Sequence, residues 1–163
     1  MIYRKFSSKL DPNAMPLKFL EFDRRFLLAS RRWLRDPEIA ALTITPHFTD
    51  EDQERWFATL PSKTDYVVWG IELDGEPVGV IGLKNITADQ AEYFGYLGEK
   101  RLWGRGHGQL MLEAAFENAK ARGCSRVYLR VWRENRRAIA LYLRYGFERV
   151  GEEGTELFMD RHV

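Results

Sequence analysis

The sequence has little cysteine, no excess charge of either sign and no long apolar run. Cys124 is the one cysteine in 163 residues, which excludes a framework of internal disulfides. Twenty-five Lys plus Arg stand against 24 Asp plus Glu, so the clustered positive excess of nonspecific nucleic-acid binders is missing. No apolar run reaches the ~18 residues of a membrane-spanning helix. The N-terminus has no signal-peptide core. These absences predict a cytoplasmic protein without a nucleic-acid or membrane partner.

The length and the composition predict one domain over residues 1–163, with residues 1–16 as a loose N-terminal arm. Hydrophobic residues make up 45% of the chain and charged residues 30%, which is ordinary for a globular domain. Cys124 follows Gly123 at a predicted helix end and enters a strand, so we expect a small buried residue and not a nucleophile.

Periodicity and turn signals predict a mixed α/β sheet of about seven strands in a single layer with about four helices. Asp36-Pro37 interrupts a helical run, because the residue before proline is disfavoured in the α region. Asp74-Gly75 is a strong hairpin signal. The predicted strands are 17–22, 66–73, 78–83, 91–97, 126–131, 147–151 and 156–160, and the predicted helical stretches are 24–41 in two parts, 49–60, 107–122 and 136–145.

A glycine-rich stretch, Glu99–Leu112, is the most informative part of the chain. Gly104, Gly106 and Gly108 occupy alternate positions before a strongly helical segment. Glycine lets the backbone turn at positive φ, and the first amides of a helix face an anion together with the positive end of its dipole. With Arg101 and Arg105 beside it, the stretch predicts a site for a cofactor that carries a diphosphate.

Two common diphosphate motifs do not match this stretch. The P-loop needs Gly-Lys followed by Ser or Thr, and the sequence has no Gly-Lys pair. The dinucleotide fingerprint reads G-x-G-x-x-G and needs a carboxylate roughly 20 residues later. Neither the glycine spacing nor the region around Gly123 meets that pattern. On the glycines alone, a tight loop into an ordinary helix is an equal alternative.

A second segment, Val131–Phe147, resembles the GCN5-related N-acetyltransferase (GNAT) superfamily. The family pattern N-x-x-A-x-x-x-Y-x-x-x-G-F is matched by Asn135, Ala138, Tyr142, Gly146 and Phe147. Its earlier loop pattern, Q/R-x-x-G-x-G/A, is matched at Gly106 and Gly108, with Trp103 in place of Gln or Arg. The resemblance covers roughly residues 17–155.

The resemblance implies an acetyl-coenzyme A-dependent N-acetyltransferase that joins its two substrates in a ternary complex, without a metal. It implies that coenzyme A is held by Tyr96, Leu97, Gly98, Arg101, Trp103, Gly104, Arg105, Gly106, His107, Gly108, Gln109, Asn135, Arg137 and Ala138. An amide of Tyr96–Gly98 would stabilise the charge that develops on the thioester oxygen. Tyr142 would protonate the departing thiolate, although an aromatic at this helical spacing is also typical of a core residue.

Glu92 is the predicted general base, because a glutamate in the matching strand has that role in some branches of the family. The alternative is a carboxylate that only binds the charge of the acceptor or caps the sheet. Glu99 and Asp89 are weaker candidates for the base. An amine is mostly protonated at neutral pH, so a proton acceptor is useful.

The acceptor is predicted to be a primary amine of a small molecule, first an amino-sugar nucleotide. The segment Trp33–Ile39 resembles one found in branches that acetylate nucleotide-linked amino sugars and ribosomal protein termini; the Trp-Gly variant of the loop also occurs in polyamine branches. A polyamine or a protein N-terminus is therefore an alternative. A polyamine pocket should be rich in carboxylates, and the early helices offer Glu38, Asp50, Glu51, Asp52 and Glu54. A non-catalytic coenzyme A-binding sensor is the alternative of another class, and the oligomeric state is predicted only as monomer or homodimer.

Overall fold

The computed structural model describes residues 16–163, so nearly all of the predicted N-terminal arm lies outside the described part. Within it are the strands β1 (Lys18–Glu21), β2 (Val67–Leu73), β3 (Glu76–Lys84), β4 (Gln90–Leu97), β5 (Arg126–Trp132), β6 (Glu148–Glu153) and β7 (Glu156–His162). The α-helices are α1 (Arg24–Leu34), α2 (Pro37–Leu42), α3 (Asp50–Thr59), α4 (His107–Ala121) and α5 (Arg136–Arg144).

The strands of the described chain form one seven-stranded sheet in the order β1-β2-β3-β4-β5-β7-β6. The pairing is antiparallel except between β4 and β5, which are parallel. A parallel pair needs a crossover connection, and α4 supplies it here. The predicted mixed single-layer sheet of about seven strands is confirmed, with five α-helices where about four were expected.

Local sequence explains where the helices on one face of the sheet begin. The Asp36 carboxylate accepts the Glu38 amide at 2.9 Å, and Pro37 starts α2 as a separate helix after α1. Thr49 and Asp52 form a reciprocal capping box at the start of α3. Asp52 is shorter than the Glu or Gln that usually stands at this position of a capping box, and it still reaches the Thr49 amide.

Two buried clusters lie on opposite faces of the sheet. The larger one joins the sheet to α4 and α5, and the smaller one joins it to α1, α2 and α3. Trp33 of α1 is buried in the smaller cluster and lies directly on Gly98, where an added Cβ would come within 1.9 Å of the indole. Cys124 is buried in the larger cluster, as predicted.

None of the helices in residues 16–163 is both long and apolar enough to cross a bilayer.

Candidate active site

The sheet opens between β4 and β5. The two strands pair only over Gln90–Glu92 and Arg126–Tyr128, at the start of both. Beyond Glu92, β4 continues to Leu97 and keeps its ladder with β3 on the other side. The edge of β4 that would bond to β5 therefore borders a gap in the middle of the sheet.

Two amides of β4 point into this gap. The Gly98 amide donates to the Val78 carbonyl at 2.8 Å, so these two residues form a hydrogen-bonded pair of the β3–β4 ladder. Because bonded and non-bonded pairs alternate along an antiparallel ladder, the amides of Leu97 and Gly95 face the opposite edge. Of the three residues predicted to stabilise a thioester oxygen, Leu97 has its amide at the gap. The amides of Tyr96 and Gly98 are directed to β3.

The glycine-rich loop turns its backbone towards the start of α4. Gly104 has φ of 72° and Gly106 has φ of 85°, both in the left-handed region that favours glycine. An added Cβ at either position would meet nothing within 4 Å, so their need for glycine is conformational. Gly106 is the residue before α4, and α4 begins at His107 with the unpaired amides of its first turn. This arrangement fits the diphosphate of coenzyme A.

Trp103 takes the place of the usual Gln or Arg and connects the loop to the sheet. Its indole N–H donates to the Leu97 carbonyl at 2.9 Å. The guanidinium of Arg137, from α5, lies 5.2 Å from the centre of the indole ring. The stack therefore places a positive charge beside the loop at the position where the family motif would supply a polar side chain.

Tyr142 of α5 lies in the middle of this region. Its ring contacts those of Tyr93 and Phe147, at centroid distances of 6.3 and 5.5 Å, and it lines the cavity described below. Burial raises the pKa of Tyr142 to about 12, so the phenol keeps its proton at neutral pH and can donate it. At the start of the same helix, the Asn135 side chain accepts the Ala138 amide at 3.3 Å.

A cavity of about 880 Å³ connects the two faces of the sheet through the gap. On one side it is lined by the loop, by the start of α4 and by α5, including Asn135 and Tyr142. On the other side α1–α3 and the sheet line it, mainly with apolar and aromatic groups, among them Phe22, Trp56, Tyr66, Phe94 and Tyr96. Two substrates could therefore meet in the gap from opposite faces.

Several predicted cofactor residues lie at the edge of the site. Arg101 and Arg105 are exposed on the loop, and the Gln109 side chain donates to Glu113 at 2.9 Å. Partial burial lowers the pKa of His107, and the charge of Arg105 lowers it further. His107 is therefore neutral at pH 7, and its backbone amide belongs to the first turn of α4. Within residues 16–163 no group of three His, Cys, Asp or Glu side chains is arranged to hold a metal ion.

Glu92 lies on the face of the sheet that carries α1–α3, and its carboxylate is buried. It accepts hydrogen bonds from Arg130 Nε at 2.9 Å and from Asn85 Nδ2 at 3.0 Å. Lys84 Nζ lies 3.6 Å from the same carboxylate. Arg130 and Lys84 line the cavity, and Glu92 lies beneath them. The role of Glu92 as a base stays a prediction, while the two cations are site residues that the sequence did not indicate.

Gly106 and Gly108 provide a matched test of the loop. Gly106→Ala should weaken coenzyme A binding about tenfold, because a non-glycine residue in the left-handed region costs ~1–2 kcal/mol. Gly108→Ala should bind almost normally, since its Cβ would meet only the end of the flexible Leu141 side chain, at 2.6 Å. Calorimetric titration with coenzyme A measures both. Native affinity for coenzyme A in both variants would exclude the loop as the diphosphate site.

The open sheet, the glycine-turned start of α4 and the half-buried phenol of Tyr142 together define an enzyme that transfers an acyl group from coenzyme A. The sequence model of the acetyltransferase (GNAT) family matches residues 27–147, so the chain belongs to this family. It is an N-acetyltransferase, and its cosubstrate is acetyl-coenzyme A. The predicted family and class of enzyme are thus confirmed. A search of curated proteins gave no significant match.

Solved structures support the fold. Spermidine N-acetyltransferase from Vibrio cholerae, in complex with CoA and spermine, has a TM-score of 0.80 at 17% identity, covering 90% of this chain and 95% of that one. Campylobacter jejuni N-acetyltransferase PseH, in complex with acetyl coenzyme A, has a TM-score of 0.69 at 19% identity, with coverages of 90% and 98%. The aminoglycoside acetyltransferase AAC(6')-Ib, in complex with coenzyme A, has a TM-score of 0.74 at 20% identity, covering 90% of this chain and 94% of that one.

Proposed function

We propose that this enzyme acetylates a primary amine of a small molecule, with an amino-sugar nucleotide as the first candidate, by direct attack in a ternary complex. The observation that carries the proposal is one continuous cavity of about 880 Å³ that reaches the gap from both faces of the sheet. An acceptor on the α1–α3 side would meet the thioester without a covalent enzyme intermediate. Cys124 is buried among core residues of the larger cluster and does not line the cavity, so it is no alternative nucleophile.

The residues of the site divide the work of the transfer. Acetyl-coenzyme A supplies an acetyl thioester; the amine nitrogen forms the new C–N bond as the C–S bond breaks. The amides at the start of α4 hold the diphosphate, and the Leu97 amide stabilises negative charge on the acetyl oxygen. Tyr142 holds a proton at its phenol oxygen and gives it to the departing sulfur. The proton that the amine loses passes to a base or to water.

The charges around the acceptor side favour an anionic acceptor over a polyamine. A polyamine needs free carboxylates, yet most of those near the early helices are in ion pairs. Asp50 contacts Arg35, Glu54 contacts Arg24 and Arg31, Asp52 contacts Arg55, and Glu38 contacts Lys100. Among the described residues that line the cavity, Asp52 is the one carboxylate, and Lys84 and Arg130 are the cations on the acceptor side, while Arg137 and Arg144 belong to α5 on the other side.

A panel of acceptors tests the proposal. The enzyme is incubated with acetyl-coenzyme A and an amino-sugar nucleotide, a free amino sugar, spermidine or a short peptide, and thiol release and product mass are followed. We expect the amino-sugar nucleotide to give the highest kcat/KM. The similarity to a spermidine acetyltransferase makes spermidine the matched competitor, and preference for it would contradict the proposed acceptor. Tight coenzyme A binding without any acetylated product would favour the sensor.

A further inference from the structure

Glu92 and Arg130 meet where β4 and β5 separate. Glu92 is the last residue of β4 that pairs with β5, and its partner in register is Tyr128. Arg130 is two residues further along β5, so its side chain lies on the same face as those of Glu92 and Tyr128. The pair therefore stands at the closed end of the gap, on the side where the acceptor would enter.

The carboxylate of Glu92 is held from several directions. It is 3% exposed, and it accepts Arg130 Nε at 2.9 Å and Asn85 Nδ2 at 3.0 Å, with Lys84 Nζ at 3.6 Å. Both carboxylate oxygens are engaged by these contacts, and Glu92 is not among the residues that line the cavity. A general base must also reach the proton that it removes, directly or through one water. Glu92 lies below the cations that form the cavity wall, so its position favours another role.

That role is to orient Arg130. Its Nε faces Glu92, and its Nη1 lies 3.5 Å from Glu156 of β7. A guanidinium held on two sides is fixed in direction. Among the described residues no hydrogen bond is made by Nη2, which can therefore bind a ligand. The Arg130 side chain is 43% exposed and lines the cavity together with Lys84. Two cations that are held in place at a cavity wall are suited to an oxyanion.

We propose that Arg130, with Lys84, binds an oxyanion of the acceptor, and that Glu92 is the positioning residue for Arg130. The inference rests on the proposed function and adds the group by which the acceptor is recognised. A phosphate and a carboxylate share the required chemistry. Arg126 provides a matched control: it lies on the same face of β5, but its guanidinium is bound to Asp160 and Gln90.

The first experiment measures anion binding without catalysis. Inorganic phosphate and acetate are titrated into the enzyme saturated with coenzyme A, and the arginine Nε–H signals are followed by NMR. We expect phosphate or acetate to change the chemical shift of the Arg130 Nε–H signal. Arg130→Ala should weaken anion binding about tenfold, as for one lost charge-assisted hydrogen bond. Arg126→Ala should bind as the native enzyme does. The anion that binds more tightly identifies the source. Equal binding by Arg130→Ala would overturn the proposal, whether or not any amine is acetylated.

The second experiment separates positioning from base catalysis. The kinetics of Arg130→Ala and Glu92→Gln are measured with an amino sugar and with its phosphate ester. Arg130→Ala should raise KM for the phosphate ester more than for the neutral sugar. Glu92→Gln should alter the preference between the two acceptors and retain the low-pH limb of kcat. Loss of that limb with a fall of ~10²-fold or more in kcat would identify Glu92 as the base and overturn its positioning role.

Failure of the inference and failure of the proposed function give different results. If no amine is acetylated, the proposed function fails, and the phosphate titration still decides on the role of Arg130. If amines are acetylated and neither variant distinguishes the phosphate ester from the neutral sugar, the function stands and the anion site is wrong.

Discussion

Tyr142→Phe is expected to lower kcat by ~10²-fold or more, which is the range for losing a general acid. The phenol lies on α5 beside the gap, and burial raises its pKa to about 12. At pH 7 it is protonated, so it can donate to a departing thiolate without first binding a proton. Affinity for coenzyme A should change little, because the proposed mechanism assigns the diphosphate to the loop and to α4.

The control for this prediction is Tyr145→Phe, a tyrosine at the end of the same helix that packs against the core. It should retain turnover. Since Tyr142 releases its proton only as the pH approaches about 12, the limbs of the rate profile between pH ~6 and ~10 belong to other groups and should persist in Tyr142→Phe. An unchanged kcat in Tyr142→Phe would remove the acid from the mechanism and leave protonation to solvent.

Gly98→Ala is expected to lower the free energy of unfolding by ~2–3 kcal/mol, the upper part of the range for overpacking. An ideal Cβ on Gly98 would lie 1.9 Å from the indole of Trp33, which is a rigid ring buried under α1. Either α1 or the end of β4 must move to relieve the contact. Denaturant unfolding of the native chain and of the variant measures the loss.

Gly151→Ala is the matched control, because Gly151 also lies in the sheet and its Cβ would be 3.9 Å from the nearest atom of Phe158. It should be neutral or slightly stabilising, since glycine is unfavourable in a strand. Replacing Trp33 by leucine in the Gly98→Ala background should recover part of the loss, as expected for residues in direct contact. If Gly98→Ala and Gly151→Ala are equally stable, Trp33 is not the reason for glycine at this position.

Local sequence was sufficient where the structure depends on a few adjacent residues. Asp74-Gly75 predicted a hairpin, and both residues have positive φ, 52° and 80°, as a tight turn requires. Asp36-Pro37 predicted the break between α1 and α2, because proline constrains the residue before it. Gly106 predicted a turn into a helix, and it has φ of 85° directly before α4.

The contacts of Glu92 could not be predicted in this way. The strand that carries it was predicted, but its partners are Lys84 of β3, Asn85 directly after β3, and Arg130 of β5. Alternation along β5 indicates that the side chains of Arg130 and Leu129 lie on opposite faces of the sheet. It does not indicate which face borders a cavity. Likewise the direction of the Leu97 amide depends on the register of the β3–β4 ladder. The acceptor side combines residues of α1, α3 and the sheet that are far apart in the chain.

The sequence by itself determined the class of this protein: a mixed sheet, a glycine-rich loop before a helix and a second motif together predict an N-acetyltransferase. Those features depend on the backbone conformation of a few neighbouring residues. Residue types and their spacing are therefore enough to predict them. Only the tertiary structure decided that β4 and β5 separate after Glu92, that the Arg137 guanidinium stacks on the Trp103 ring, and that Arg130 and Lys84 line the cavity. The reason is physical: these arrangements follow from strand register and from packing between distant elements, and no short segment specifies either one.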